Sequence, residues 1–314
     1  MADATPSRSG QQNLAGDVKA NFLKVFAGEV LTAYDETRVA SRYVRERVIS
    51  SGKSAQFPVM GKASGGYHTP GAEIVGRTVA HNEVVITVDD LLISDTFIAN
   101  IDEAMNHYEV RSEYSNQMGQ FLANTEDKQL LQLGILAARS AARITGEQGG
   151  SVITSANAGT VATDLIAAIF AAAQKFDEKD VPMNERVFFL RPAQYYLLAQ
   201  NTTIMNKDWG GAGVYADGKV LRVAGMEIVK TNHLPSGTVS NGTVDAGTGN
   251  KYAGVFSTTV GLALQKGALG AVKLLDLAIE SEYDIRRQGT LMVAKFAKGY
   301  GTLAPQCAIE VKTA

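Results

Sequence analysis

Apolar and polar positions divide the chain into segments of different character. Residues 1 to about 16 are small and polar, so they cannot cover a core and are expected to form a mobile arm. Between Phe22 and Tyr34, apolar residues recur at helical spacing, which predicts an amphipathic helix. A helix behind such an arm either packs on its own core or docks on a neighbouring subunit, and the pattern leaves both open.

Alternating apolar and polar residues predict two strands, at Ala55–Val59 and Glu83–Val88. A segment rich in turn residues, Gly61–Gly71, lies between them and completes a long hairpin. An isolated two-stranded hairpin is only marginally stable in water. We therefore expect this hairpin to lean on something else, and a partner subunit is the simplest candidate.

A stripe of apolar residues predicts one long helix from residue 97 to about 142. At 1.5 Å per residue, about 40 residues would reach ~60 Å, which implies an elongated molecule. Two shorter helices, broken near Asn124–Asp127, are the alternative.

The rest of the chain mixes short strands and helices, which predicts an α+β domain with a central sheet. A loop-like boundary at 145–162 precedes it. The predicted elements are a helix capped by Thr163 and running through Lys175, a buried strand Arg186–Leu190, a helix Ala193–Gln200 with Pro192 in its first turn, strands at 219–230 and 252–264, and tail strands at 284–311 broken by Gly289, Gly299 and Gly301.

Composition narrows the possible functions. The 314 residues carry a formal net charge of −2, which excludes a protein that coats nucleic acid through bulk positive charge. The single cysteine, Cys307, allows neither an internal disulfide nor a cysteine-based zinc cluster. The first residues lack a signal-peptide pattern, and no stretch approaches the ~20 apolar residues that span a bilayer. We therefore expect a soluble protein that does not bind membranes.

Candidate catalytic and cofactor motifs are weak. Gly52-Lys53-Ser54 imitates the end of a phosphate-binding loop, but Arg47 stands where the first glycine is required, and a strand follows. Glu103 and His107, one helical turn apart, could ligate a metal together, although an intrahelical pair is far commoner at that spacing. The sequence therefore predicts no enzyme activity, no catalytic residues, no cofactor and no metal site.

Basic residues form two groups. Either group is an exposed strand face, or it contacts neighbouring subunits or packed nucleic acid. The first group is Arg38, Arg42, Arg45, Arg47, Lys53 and Lys62, and the second is Arg286, Arg287, Lys295 and Lys298.

Specific stretches throughout the chain after residue 16 resemble one family. They are Phe22–Phe26 with Gly28–Ala33, Ile49–Val59, Val85–Thr87 with Leu91–Leu92, Ala104–Tyr108, Val110–Tyr114, Val181–Pro182, Arg186–Phe188, His233–Leu234, Gly270–Leu274, Ala294–Lys295, Gly299, Gly301 and Pro305. In these stretches the chain resembles the major capsid proteins of T-seven-like short-tailed phages. It departs from them around 145–162 and 236–250, and Tyr300 stands where the family usually has histidine.

The resemblance implies the Hong Kong 97-type phage capsid fold, an α+β fold with peripheral and axial domains. The boundaries it implies are an N-terminal arm and helix at 1–40, an E-loop hairpin at 41–95, the spine helix of the peripheral domain at 96–144, the axial domain at 145–282, and returning strands of the peripheral domain at 283–314.

The resemblance also implies a function. Copies would form hexamers and pentamers that close into an icosahedral head shell around double-stranded DNA, bound without sequence specificity. A scaffolding protein and a portal would take part, with assembly in the host cytoplasm and the protein finally in the virion. No covalent cross-link is expected. An encapsulin-like compartment enclosing a cargo enzyme is the alternative. The expected contacts between subunits are Lys53, Phe57 and Tyr67 of the E-loop, and Phe22, Phe26 and Val30 of the arm.

Overall fold

The computed structural model describes residues 38–105, 111–144, 146–201 and 222–314. It contains both helices and strands, as an α+β fold requires. The described helices are α1 (Asn100–Met105), α2 (Arg111–Ala138), α3 (Ala162–Glu178) and α4 (Pro192–Ala199), with short 3-10 turns that include Ser41–Tyr43 and Pro305–Cys307.

Two larger sheets organise the described strands. One has the order β1-β12-β13-β4 and the other the order β5-β14-β11-β6-β8-β7, while β2 pairs with β3 and β9 with β10. The strands are β1 (Arg45–Val48), β2 (Ser54–Met60), β3 (His81–Thr87), β4 (Leu92–Ala99), β5 (Ser151–Thr154), β6 (Arg186–Leu190), β7 (Arg222–Val223), β8 (Met226–Lys230), β9 (Thr238–Val239), β10 (Gly254–Val255), β11 (Thr259–Gln265), β12 (Leu269–Asp284), β13 (Gly289–Thr302) and β14 (Ala308–Lys312).

The chain divides into two compact units. Unit 1 contains the described residues of 90–125 and 275–297, and unit 2 contains those of 38–89, 126–274 and 298–314. In unit 1, Met118 and Leu122 of α2 pack on Met292 and Phe296 of β13.

The larger core lies in unit 2, around the six-stranded sheet. All five residues of β6 are buried, because β11 and β8 pair with it on either side. This confirms the predicted strand. Helix α2 packs closely on β11, since a Cβ at Gly134 would lie 2.8 Å from Leu262.

The paired part of the hairpin packs on its own chain. Strands β2 and β3 are antiparallel over their full length. Ala55, Val84 and Ile86 are buried against Val272 and Leu303. This ladder therefore has an apolar base in unit 2, and the expected contact of the hairpin with a partner subunit stays a prediction.

The tail strand is not broken at its glycines, contrary to the sequence prediction. Strand β13 runs from Gly289 to Thr302 without interruption. A Cβ at Gly299 would collide with the carbonyl oxygen of Thr87, and one at Gly301 would lie 2.7 Å from Ile86. Since β3 lies directly on β13 here, these glycines are required by close backbone approach.

Helix boundaries also differ from the prediction. Residues 97–99 belong to β4, because they pair with the first residues of β13 and Ile98 is buried in the core of unit 1. Thr163 is not the cap of α3. The helix begins at Ala162 after Val161, and no side-chain cap hydrogen bond forms.

No break occurs within α2 at Asn124–Asp127, where two shorter helices were the alternative. Thr125 Oγ1 donates to the carbonyl oxygen of Phe121 at 2.9 Å, and the Glu126 and Asp127 carboxylates have partners in unit 2. The polar side chains at 125–127 thus have hydrogen-bond partners while their backbone stays helical, so they do not end the helix.

Candidate assembly surfaces

The hairpin ends in a long exposed loop, residues 61–80, called here the hairpin loop. It contains three of the most exposed large apolar side chains of the described chain, Tyr67 (108%), Ile74 (80%) and Val75 (77%). Arg77 Nη1 donates to the carbonyl oxygen of Gly65 at 2.8 Å, which joins the two arms of the loop. Exposed apolar side chains grouped on one loop are typical of a protein interaction site.

The hairpin loop is fixed to unit 2 at its base. The Gly61 amide donates to the Ala80 carbonyl at 2.8 Å, which extends the ladder into the loop. Lys62 forms an ion pair with Asp180 at 3.2 Å, and Asn82 Nδ2 donates to the Arg143 carbonyl at 2.6 Å. The loop is thus presented from a defined root.

The other end of the hairpin is held by Asp89. Its carboxylate accepts a 2.5 Å hydrogen bond from the Tyr252 hydroxyl and forms an ion pair with Lys251 at 3.3 Å. Burial, the charge of Asp89 and this hydrogen bond all raise the pKa of Tyr252 above its ordinary value. The backbone N–H of Asp89 also donates to the carbonyl of Lys298 at 3.1 Å.

A buried charged cluster fixes the first described residues, where the chain enters unit 2. Asp127 accepts backbone hydrogen bonds from Val39 at 2.7 Å and Ala40 at 3.1 Å. Glu126 binds Arg38 at 2.7 Å and Lys298 at 2.9 Å. Residues 38–40 are therefore held in place by unit 2.

The sequence-predicted contact residues have different environments. Lys53 is exposed, and Tyr67 is at the surface of the hairpin loop. Phe57 is half-buried against the hairpin core, with the Arg47 guanidinium 4.8 Å from its ring centroid. The remaining three, Phe22, Phe26 and Val30, lie outside the described residues.

Sequence reasoning missed Ile74 and Val75, and it missed the outer half of β12. Beyond Lys273 this strand carries exposed Leu275, Leu277 and Ile279. Carboxylates occupy three of the four even positions from 276 to 282, so a partial alternation of apolar and acidic residues was the available signal. These side chains form an apolar face that the described residues leave exposed.

The described residues contain no cluster of three or more histidine, cysteine, aspartate or glutamate side chains that could hold a metal. The Gly52-Lys53-Ser54 segment leads into β2 and not into a helix. Cys307 is buried, and burial raises the pKa of its thiol. None of the helices in the described ranges is long and apolar enough to cross a membrane.

Buried tyrosines predict a loss of stability at high pH. Burial and the hydrogen bond to Glu227 raise the pKa of Tyr43 from 10.0 to about 12. Between these values the unfolded chain loses the phenolic proton while the folded chain keeps it. The free energy of unfolding should therefore fall as pH rises above 10, by up to about 1.4 kcal/mol per pH unit for each such tyrosine.

Urea unfolding of the unassembled protein between pH 9 and pH 11.5 measures this slope. Tyr43→Phe should have a shallower slope than the parent, while Tyr67→Phe controls for loss of an exposed hydroxyl. Equal slopes for Tyr43→Phe and the parent would contradict the assignment.

Comparison with known proteins agrees with this arrangement. The family model described as "Gp10A-like: Major capsid protein" matches residues 56–312. The chain is 35% identical to the major capsid protein of Escherichia phage T7, over 94% of this chain and 92% of that protein. It is 34% identical to the major capsid protein of Enterobacteria phage T3, over 96% and 94% respectively.

A solved structure covers the whole chain. The capsid structure of the cyanophage P-SCSP1u superposes with a TM-score of 0.85 at 44% identity, over 100% of this chain and 99% of that one. The fold is that of the Hong Kong 97-type phage capsids. The chain belongs to the Gp10A-like family, the major capsid proteins of phage head shells.

Proposed function

We propose that many copies of this chain assemble as hexamers and pentamers into the icosahedral head shell that encloses double-stranded phage DNA. The hairpin loop carries the proposal. Tyr67, Ile74 and Val75 are exposed on a loop whose root is fixed by Lys62 and Asn82. In a family of capsid proteins, such a loop fits the surface of the neighbouring copy, where its apolar side chains would be buried.

The two ends of the hairpin support this role. The ladder packs on its own unit, so ordering it costs little entropy, and its exposed side chains and the hairpin loop remain available to a partner. A preorganised contact loses less conformational entropy on binding than a flexible one. Lys53 and Phe57 lie on or beside β2, and we assign them to the same contact region as Tyr67. Phe22, Phe26 and Val30 complete the proposed contacts through the N-terminal segment.

Other partners follow from the function of a head shell. A scaffolding protein and a portal take part during assembly in the host cytoplasm, and the finished protein resides in the virion. DNA contacts are nonspecific, through exposed basic residues such as Arg45 and Arg47 of β1. The overall charge of −2 keeps these contacts weak. The encapsulin-like alternative is not favoured, because the matching family and relatives are phage capsid proteins.

Electron microscopy of the chain coexpressed with its scaffolding protein tests the proposal. Closed shells are the expected result. A monodisperse monomer under conditions that support head assembly would contradict it, and copurification of an enzyme cargo without scaffold would favour the encapsulin-like alternative.

Charges in the hairpin loop should prevent assembly without unfolding the protein. Tyr67→Asp and the double change Ile74→Asp/Val75→Asp place carboxylates where an interface would exclude water. We expect the yield of closed shells to fall more than about tenfold, because losing a buried interface anchor typically costs about 2 kcal/mol or more. Sedimentation of shells against free capsomers measures the yield.

Met183→Asp is the matched control. Met183 is also an exposed apolar residue, at 71%, but it lies outside the hairpin. This variant should assemble like the parent. A normal yield of closed shells from both loop variants would show that the hairpin loop is not part of the interface.

A further inference from the structure

The loop between β9 and β10 carries the one Asn-Gly pair of the sequence. Residues 240–250 are called here the Asn-Gly loop, and they belong to unit 2. The pair is Asn241-Gly242, and both of its residues are exposed. Glycine has no Cβ, so its backbone nitrogen can approach the side chain of the preceding residue with little obstruction. No other asparagine of the chain precedes a glycine, so Asn241 is chemically distinct.

A tight turn fixes the backbone at this pair. Gly242 has a φ of 81°, as at the third position of a type II turn, a position that favours glycine. Thr243 Oγ1 donates to the carbonyl oxygen of Ser240 at 2.9 Å, which closes the turn. A Cβ at Gly242 would meet nothing within 4 Å, so the space on that side of the glycine is open. The Asn-Gly loop thus presents the pair to water in a defined conformation.

The two reacting groups of the pair differ in their partners. The Asn241 carboxamide forms no hydrogen bond within the described residues, so its carbon is open to attack. The Gly242 N–H donates to Oδ1 of Asn250 at 2.7 Å. Asn250 has a left-handed φ of 61°, which asparagine adopts more readily than most residues. The electrophile is therefore free, while the nucleophile is held by a second asparagine.

We propose that Asn241 deamidates spontaneously in the folded protein and that Asn250 slows the reaction. The Gly242 nitrogen attacks Cγ of Asn241, a C–N bond closes a succinimide ring, and the side-chain nitrogen leaves as ammonia together with the Gly242 proton. Water then opens the ring at either carbonyl, which leaves aspartate or isoaspartate. The reaction needs only water. It goes beyond the proposed function and does not depend on it.

The hydrogen bond explains the role assigned to Asn250. The Gly242 nitrogen can attack only after its N–H has left the acceptor and lost its proton, so this bond must break first. Removing a typical hydrogen bond should speed the reaction by about two- to tenfold. Each event adds one negative charge to a chain whose formal net charge is −2, and isoaspartate also lengthens the backbone of the turn.

Incubation of the purified, unassembled protein at pH 7 and at pH 9 tests the site. Peptide mass spectrometry should find the exchange of NH for O at Asn241, and labelling by protein isoaspartyl methyltransferase should detect isoaspartate. The conversion should be faster at pH 9, because the attacking nitrogen must be deprotonated. Asn157 is the internal control, since it is exposed but precedes Ala158, whose Cβ hinders the attack. It should stay intact over the same period.

Variants at two positions test the mechanism. Asn241→Gln should stop the conversion, because its longer side chain would close a larger and less favourable ring. Asn250→Gly removes the acceptor, suits the left-handed φ and should convert about two- to tenfold faster than the parent. Asn250→Asp keeps an acceptor oxygen and should convert no faster than the parent. In urea the loop unfolds, so the difference between Asn250→Gly and the parent should vanish.

Two results would overturn the proposal. If Asn241 stays intact in the folded parent while the urea-unfolded parent converts, the native turn prevents the reaction. If Asn250→Gly has the circular dichroism spectrum and melting temperature of the parent and also converts at the parent rate, Asn250 does not slow the reaction. Should Asn250→Gly fail to fold, Asn250→Ala takes its place with the same expected acceleration.

Discussion

Replacing Arg139 with methionine should lower the free energy of unfolding by about 3–5 kcal/mol, the usual cost of leaving one partner of a buried ion pair unpaired. Arg139 Nε and Nη2 bind the two oxygens of Glu310 at 2.6 and 2.7 Å. The Glu310 side chain is fully buried in β14. Without the guanidinium, Thr259 Oγ1 at 2.6 Å is the one side-chain donor that the described residues leave to this carboxylate.

The size of this effect comes from the position of the pair. Arg139 immediately follows α2, and its Nη1 also donates to the carbonyl of Val255 at 2.7 Å. One side chain thus joins the end of the helix to the six-stranded sheet and to β10. A shell protein that loses this joint should accumulate as aggregate and not as capsomers.

Chemical denaturation of the unassembled protein measures the loss. The control is Lys266→Met, which removes an exposed ion pair with Glu185 and should cost at most about 1 kcal/mol. Arg139→Met combined with Glu310→Met should recover part of the stability, because no buried charge remains. A loss below about 1 kcal/mol for Arg139→Met would show that water solvates Glu310.

Gly299→Val should separate the hairpin from the body of unit 2. A Cβ at this position would collide with the Thr87 carbonyl and lie 2.7 Å from the Cα of Val88, and neither backbone atom can move alone. The end of β3 must then leave β13, which also strains the contact of Asp89 with Lys298. We expect a loss of about 3 kcal/mol or more, in the range of severe overpacking, together with a loss of closed shells.

Gly119→Ala is the matched control, because a Cβ there meets nothing within 4 Å. It lies inside α2 and should stabilise the protein by up to about 1 kcal/mol. Hydrogen exchange localises the effect of Gly299→Val, with faster exchange expected at β2 and β3. Unchanged protection of both strands would mean that the hairpin does not depend on this close approach.

Gly299→Val tests how unit 2 holds the hairpin loop in position. The loop itself has no regular structure, so its position depends on the ladder beneath it and on the contacts of Lys62, Asn82 and Asp89. A contact that this loop makes with another copy therefore depends on the residues that hold the two ends of the hairpin in place. Loss of the root and loss of Tyr67 should therefore both reduce assembly, but only loss of the root should reduce stability.

The sequence pattern predicted the secondary structure correctly wherever residues close along the chain decide it. The continuous apolar run Arg186–Leu190 forms a buried strand, and Pro192 begins α4, both as predicted. The alternation around Ala55 and Val84 also placed the hairpin strands correctly. The family resemblance rested on such stretches, which is why the fold and the head-shell function could be inferred from the sequence.

The elements that the sequence mispredicted depend on contacts between segments that are distant along the chain. Gly299 and Gly301 resemble strand breakers in a sequence, yet they lie within a continuous strand because the hairpin packs on them from more than 200 positions away. Phe97 and Ile98 continue an apolar stripe, but pairing with β13 makes them strand.

The same distinction between sequence pattern and tertiary contacts applies to the candidate contact residues. Phe57 and Tyr67 are both aromatic residues of the hairpin region, and only the fold shows that Phe57 is half-buried in its own chain while Tyr67 is fully exposed. The sequence by itself determined several of the elements, among them β6 and the two hairpin strands, together with the family and the absence of bulk positive charge, because these depend on composition and on short-range patterns. The tertiary structure decided which apolar side chains remain for a partner, because burial depends on residues that are close in space and distant along the chain.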